Sequence, residues 1–116
     1  MNLYHCQIDL RPEAHALGFA KAAGDWMAHL QTCGLISGWR LMRRKLGLAS
    51  GGHSDFLLEI DLPGLAALDA AFDALATADE TASQLYERMH GMIASAEVGV
   101  YRPFPDASPR ERIALI

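Results

Sequence analysis

A chain of 116 residues, 51% hydrophobic and 21% charged, has the size and composition of one globular domain with one core. Its formal net charge of −4 disfavours wholesale binding to nucleic acid, where affinity comes from Lys and Arg displacing counterions, and the one basic run, Arg43-Arg44-Lys45, reads as a solvated strand end. No apolar run approaches the ~20 residues that span a bilayer and no secretory signal is visible, so no membrane partner and a cytoplasmic location are expected.

Leu3 to Leu10 alternates, with Tyr4, Cys6, Ile8 and Leu10 on one side and His5, Gln7 and Asp9 on the other, the period of a half-buried strand. Arg11-Pro12-Glu13 breaks it. Proline and an acidic residue suit a first helical turn, so a helix is expected from there to about Thr32, with Phe19, Ala23, Trp26, Met27 and Leu30 as its apolar stripe and Gly34 ending it. Trp39 to Leu46 reads as the second strand, Trp39 and Leu41 facing the core and Arg40, Met42 and Arg44 facing away. Gly47 to Asp55 is a flexible loop.

Phe56 to Leu62 alternates again, with Phe56, Leu58, Ile60 and Leu62 opposed to Leu57, Glu59 and Asp61. Leu65, Leu68, Phe72 and Leu75 then predict a short amphipathic helix, the Thr77–Glu80 break supplies cap chemistry, and Leu85, Met89, Met92 and Ile93 predict a second helical stretch. The last strand is expected over Ala94 to Arg102, with Ala96, Val98 and Val100 facing the core and Glu97, Gly99 and Tyr101 opposite. Residues 1–105 form the expected domain and 106–116 a C-terminal tail ending in apolar Ile113-Ala114-Leu115-Ile116.

Helices and strands that each offer one apolar face pack as two layers. The expected class is therefore α+β: a ferredoxin-like βαββαβ chain whose four-stranded antiparallel sheet carries helices on one face. Its bare second face would gain from dimerisation.

The stretch Met1 to Pro12, the Gly34-Leu35-Ile36-Ser37-Gly38-Trp39-Arg40 turn, Arg43-Arg44-Lys45-Leu46-Gly47 and the closing Val100-Tyr101-Arg102-Pro103-Phe104-Pro105 resemble an uncharacterised bacterial domain family of the dimeric α+β barrel superfamily. The resemblance implies two ferredoxin-like subunits paired through their open sheet faces around a pocket. Members of that superfamily include cofactor-free monooxygenases, haem-degrading enzymes, peroxidases, isomerases and ligand-sensing modules, so it leaves the chemistry open. Such oxygenases often gather Asn, His and Trp in the pocket, whereas Asn2 is the only asparagine here and Trp39 is assigned to the core.

On that reading the open face carries His5, Gln7, Asp9, Arg40, Met42, Arg44, Leu57, Glu59, Asp61, Glu97 and Tyr101. Charges buried there must be paired, either across a dimer or around a polar ligand. His5 is the candidate general base, oriented by Tyr101 or Glu59; Gln7, Arg40, Arg44, Glu59 and Tyr101 are the candidate ligand contacts, with Arg44 expected opposite Glu59 as a cross-strand ion pair or an anion site. The spacing of His5, His15, His29, His53 and His90 matches no metal motif, and the last two helical ones and His15 read as surface residues. Cys6 and Cys33 lack metal or disulfide-framework spacing and read as small buried thiols. Ser50-Gly51-Gly52 precedes a strand, not a helix, and so is no phosphate cradle. Met89, Met92 and Trp26 read as core.

The expected function is a homodimeric small-molecule-binding protein or cofactor-free enzyme of oxygenase or isomerase type, with its pocket on the open sheet face. The alternative is a non-catalytic ligand sensor or structural dimerisation module. Because carboxylates outnumber arginines on that face, the expected ligand is neutral or weakly polar, and no cofactor or metal is called for.

Overall fold

The computed structural model describes residues 2–45, 51–64, 66, 69, 70, 73 and 79–105. Strands β1 (Asn2–Leu10), β2 (Gly38–Arg43), β3 (Phe56–Leu62) and β4 (Ile93–Tyr101) form one antiparallel sheet in the order β2-β3-β1-β4. Helices α1 (Ala16–Thr32) and α2 (Glu80–His90) pack on one face and on each other. This is the βαββαβ ferredoxin-like arrangement. Ala66, Asp69, Ala70 and Asp73 are helical, in the segment where the short helix is expected; its stripe residues Leu65, Leu68, Phe72 and Leu75 lie outside the described residues, as do 106–116.

The core follows the alternation. Cys6 and Ile8 of β1 and Phe56, Leu58, Ile60 and Leu62 of β3 are buried against Phe19, Ala22, Ala23, Trp26, Met27 and Leu30 of α1 and Ala82 and Met89 of α2. Phe19 and Phe56 meet at 5.2 Å between ring centres.

Several boundaries differ from expectation. Helix α1 starts at Ala16 because Arg11-Pro12-Glu13 closes a turn, Ala14 N–H donating to the Arg11 carbonyl at 3.0 Å, and His15 is still extended. It ends at Thr32, and Gly34 adopts the left-handed φ of +76°. Cys33 is thereby left exposed; only Cys6 is a buried thiol. Strand β2 stops at Arg43, since its last partner is Phe56, the first residue of β3. Helix α2 begins where Asp79 accepts the Ala82 N–H at 2.8 Å and ends at His90, so Met92 and Ile93 lead into β4 instead of extending a helical stripe. Val98 and Val100 do share the helix-side face with Cys6 and Tyr4, yet are 51% and 44% exposed, because β4 is an edge strand.

Candidate functional site

Cross-strand register sets the open face in rows. One row runs Arg40, Glu59, His5, Gly99, and the next Met42, Leu57, Gln7, Glu97. Arg40 grips Glu59 with both ends of its guanidinium, Nε to Oε1 at 3.3 Å and Nη2 to Oε2 at 3.2 Å, and Glu59 is 8% exposed. That contact, with the nearby Asp61 carboxylate, raises the Arg40 guanidinium above its ordinary value. The Tyr101 ring lies over Gly99, where an added Cβ would come within 3.1 Å of Cε2, and meets His5 edge-on at 5.8 Å. Glycine at 99 is what lets that ring fold inward.

Arg44 does not oppose Glu59. The register gives that place to Arg40, and Arg44 instead closes the loop: its backbone N–H donates to the Asp55 carbonyl at 2.8 Å, Nη1 donates to the His53 carbonyl at 3.1 Å, and Nη2 sits 3.5 Å from Asp55 Oδ1. Asp9 accepts the Asp55 N–H at 2.9 Å and the Ser95 hydroxyl at 3.4 Å. A concavity of about 420 Å³ is lined by His5, Gln7, Met42, Arg43, Arg44, His53, Ser54 and Leu57. His5, Gln7 and Arg44 thus come together, while Arg40, Glu59 and Tyr101 lie beside this hollow and do not line it.

A second cavity, of about 300 Å³, lies between the sheet and the helices. Its described lining is Tyr4, Cys6 and Ile8 from β1, Leu58, Ile60 and Leu62 from β3, Ala96 and Val98 from β4, Trp26, Met27 and Leu30 from α1, Tyr86, Met89 and His90 from α2, with Ile36 and Ile93. The wall is apolar with a few convergent polar groups, the usual chemistry of a small-molecule pocket. Burial raises the Tyr4 phenol above its ordinary value, with Cys6 and Tyr86 adding to the effect, so the three groups share one electrostatic neighbourhood. Burial alone pushes the Cys6 thiol up to about 12. Tyr86 stands edge-on to Trp26 at 5.7 Å and is stacked on its other side by His90, 3.8 Å between ring centres.

Sequence reading placed Tyr4 on the core face and His90 on the surface without joining them. The available signal was the four-residue spacing of Tyr86 and His90, which puts both on one side of a helix, and a phenol on an otherwise apolar strand face. His29 stacks on Trp26 at 5.6 Å, with Cys33 Sγ 3.8 Å from its Nε2. Among the described residues no group of three or more His, Cys, Asp or Glu could hold a metal ion, and no helix is long and apolar enough to cross a membrane.

Solved structures share this fold at low identity. Hydroxynitrile lyase from Passiflora edulis superposes with a TM-score of 0.68 at 9% identity, over 90% of this chain and 94% of that one. SnoaB, a cofactor-independent oxygenase from Streptomyces nogalater, gives 0.64 at 9% identity over 90% and 97%. A dimeric protein of unknown function with a ferredoxin-like fold from Bacteroides fragilis gives 0.57 at 10% over 88% and 95%. These likenesses establish the fold alone. A comparison with curated proteins finds no match. The family model for a family of unknown function, DUF6614, matches residues 1–116, and the chain belongs to that family.

Proposed function

We propose that this protein is a homodimeric small-molecule-binding protein that holds a small, largely apolar, uncharged ligand in the cavity between its sheet and its helices. The observation that carries the reading is the cavity itself: about 300 Å³, walled by aliphatic and aromatic side chains, with the Tyr4, Cys6 and Tyr86 polar atoms in one neighbourhood and no charged side chain among its described lining. An ion would lose hydration there with nothing to replace it. Cofactor-free chemistry on such a ligand is compatible with the activities named for the lyase and the oxygenase that share the fold.

Dimerisation through the open sheet face is part of the proposal, supported by the dimeric Bacteroides fragilis relative in fold and by the partly exposed Leu3, Met42 and Leu57 on that face. A cytoplasmic setting fits two unpaired thiols.

A second reading is favoured by the 420 Å³ hollow: a polar ligand on the open face, with His5 as general base, Gln7 and Arg44 in contact, and Arg40, Glu59 and Tyr101 supporting from beside it. Native mass spectrometry of the purified protein separates the two when combined with Ala96→Trp, which fills the inner cavity, and Gln7→Trp, which fills the open-face hollow. A copurified or added neutral ligand lost only in Ala96→Trp supports the inner site. Loss only in Gln7→Trp moves the site to the open face.

A further inference from the structure

His90 borders the inner cavity from the last turn of α2 while remaining exposed to solvent. Its Nδ1 lies 2.9 Å from the Tyr86 backbone carbonyl oxygen. A carbonyl can only accept, so Nδ1 carries a proton and donates, and the neutral ring in this geometry has its lone pair on Nε2. The ring is held a second way, flat against Tyr86 at 3.8 Å and 22° between planes. One tautomer and one ring plane are therefore set before any ligand arrives.

Two other polar side chains of the described lining, Tyr4 and Cys6, are poor acceptors. Tyr4 and Cys6 are both pushed by burial towards their protonated forms, and no carboxylate lines the cavity among the described residues. The charged residues that precede His90 in the last turn of α2 are Glu87 and Arg88, and Arg88 pairs with Asp25 of α1 at 3.6 Å. A phenol hydroxyl can donate a hydrogen bond, and such donors stabilise an oxygen gaining negative charge.

We propose that His90 is the proton acceptor of the inner cavity, and that the cavity takes small uncharged ketones bearing a hydrogen on the carbon beside the carbonyl. The proposal rests on the inner cavity being the ligand site. In the step, the Nε2 lone pair forms an N–H bond as the C–H bond breaks; the C–H electron pair becomes the C=C bond, and the carbonyl π pair moves to oxygen, where Tyr4 and Tyr86 hydroxyls donate to it. The imidazolium returns the proton to the same carbon or to another carbon of the conjugated system. Nothing is oxidised or reduced, so the step needs no cofactor. His90 touches solvent, so the proton it carries exchanges with water.

The test uses phenylacetone in D₂O with the full chain. Trp26 lines the cavity, so quenching of tryptophan emission reads binding, while proton NMR reads loss of the hydrogens beside the carbonyl. Wild type is expected to bind and to speed exchange about 100-fold or more over buffer, the usual scale of general-base catalysis. H90Q is expected to bind within a few-fold and to exchange at the buffer rate, and Y86F to exchange more slowly than wild type. Nitrogen-15 spectra of the wild-type imidazoles should show the Nδ1–H tautomer for His90. Binding without exchange, exchange that survives in H90Q, or an Nε2–H tautomer overturns the role of His90 and leaves the site intact. No binding of phenylacetone to wild type overturns the cavity as the ketone site.

Discussion

Truncation of Ile60 tests whether the inner cavity is real empty space. Ile60 is buried on β3, paired with Tyr4 of β1 and Trp39 of β2, and it forms part of the cavity wall. Ile60→Ala removes three carbons, about 2.4 kcal/mol of transfer free energy at ~0.8 kcal/mol per buried carbon. A residual void ordinarily adds about 24 cal/mol for each Å³ left behind. Here one side of the isoleucine already meets open space, so it forfeits fewer contacts than a side chain surrounded on all sides, and the loss should be about 2–3 kcal/mol. Phe19 supplies the contrast: it is wholly buried, packs on Phe56 at 5.2 Å and does not line the cavity. Phe19→Ala should cost about 3–5 kcal/mol. Urea unfolding followed by tryptophan fluorescence, fitted with a common m-value, measures both. A loss below about 1 kcal/mol for Ile60→Ala would mean that β3 presents the wrong face, and a loss equal to that of Phe19→Ala would mean that the space beside Ile60 is filled.

Thiol labelling of the native protein with a disulfide reagent should modify one cysteine per chain, Cys33, and both only after denaturation, because Cys6 is buried with its thiol pushed up to about 12. The same burial makes stability fall with rising pH: Cys6 and Tyr4 ionise more easily unfolded than folded, so their contribution is complete below about pH 9 and declines above it, and Cys6→Ala should flatten that alkaline slope in unfolding experiments. Asp79→Ala removes the cap that receives the Ala82 N–H and should cost about 1 kcal/mol, with Asp79→Ser recovering most of it. In the proposed dimer, sedimentation at micromolar concentration should show two chains, and Leu57→Glu on the open face should give monomer; a monomeric wild type would remove the open-face interface.

How far the chain could be read from its residues depended on the physics behind each feature. The alternation of Tyr4, Cys6 and Ile8 and of Phe56, Leu58, Ile60 and Leu62 survives in the structure because a period of two is a property of the strand itself. The partner of Glu59 was misread as Arg44 because hairpin register is decided where the loop leaves the sheet. Both arginines fall on the same side of the sequence alternation, so it cannot separate them, and Arg44 lies past the end of β2, where its closing contacts with His53 and Asp55 belong to the loop. Periodicity assigns Val98 and Val100 to the helix-side face but says nothing about whether a helix reaches that far, and on this edge strand none of the described helices covers them. The inner cavity is invisible to pattern for a related reason. Its strand and α1 lining reads as ordinary core and His90 as surface, and only the separation between layers leaves space among those side chains. Cys33 was misread although the helix end at Thr32 was not, because a small thiol just past a helix gives no periodic signal of which way it faces.

The charges of the open face bear on what each side of the sheet can do. Arg40 and Glu59, Arg44 and Asp55, and Asp9 with the Asp55 N–H and Ser95 hydroxyl are satisfied within one subunit, along the sheet instead of across it. Those groups therefore ask for no opposite charge from a partner, and in the proposed dimer Leu3, Met42 and Leu57 would supply the apolar contact, while Glu97 on the same face would have to keep its water or meet a donor. Strand β4 is shared by both tasks. Its Ala96 and Val98 wall the inner cavity, while Glu97, Gly99 and Tyr101 stand on the opposite face, with Tyr101 folded over Gly99 against His5. In the proposed dimer the ligand and the partner subunit would thus touch opposite sides of a single strand. A ligand that displaced Val98 would shift the backbone carrying Glu97 and Gly99, so in that dimer binding and dimer affinity would be coupled through β4 to the extent that the strand moves as one piece.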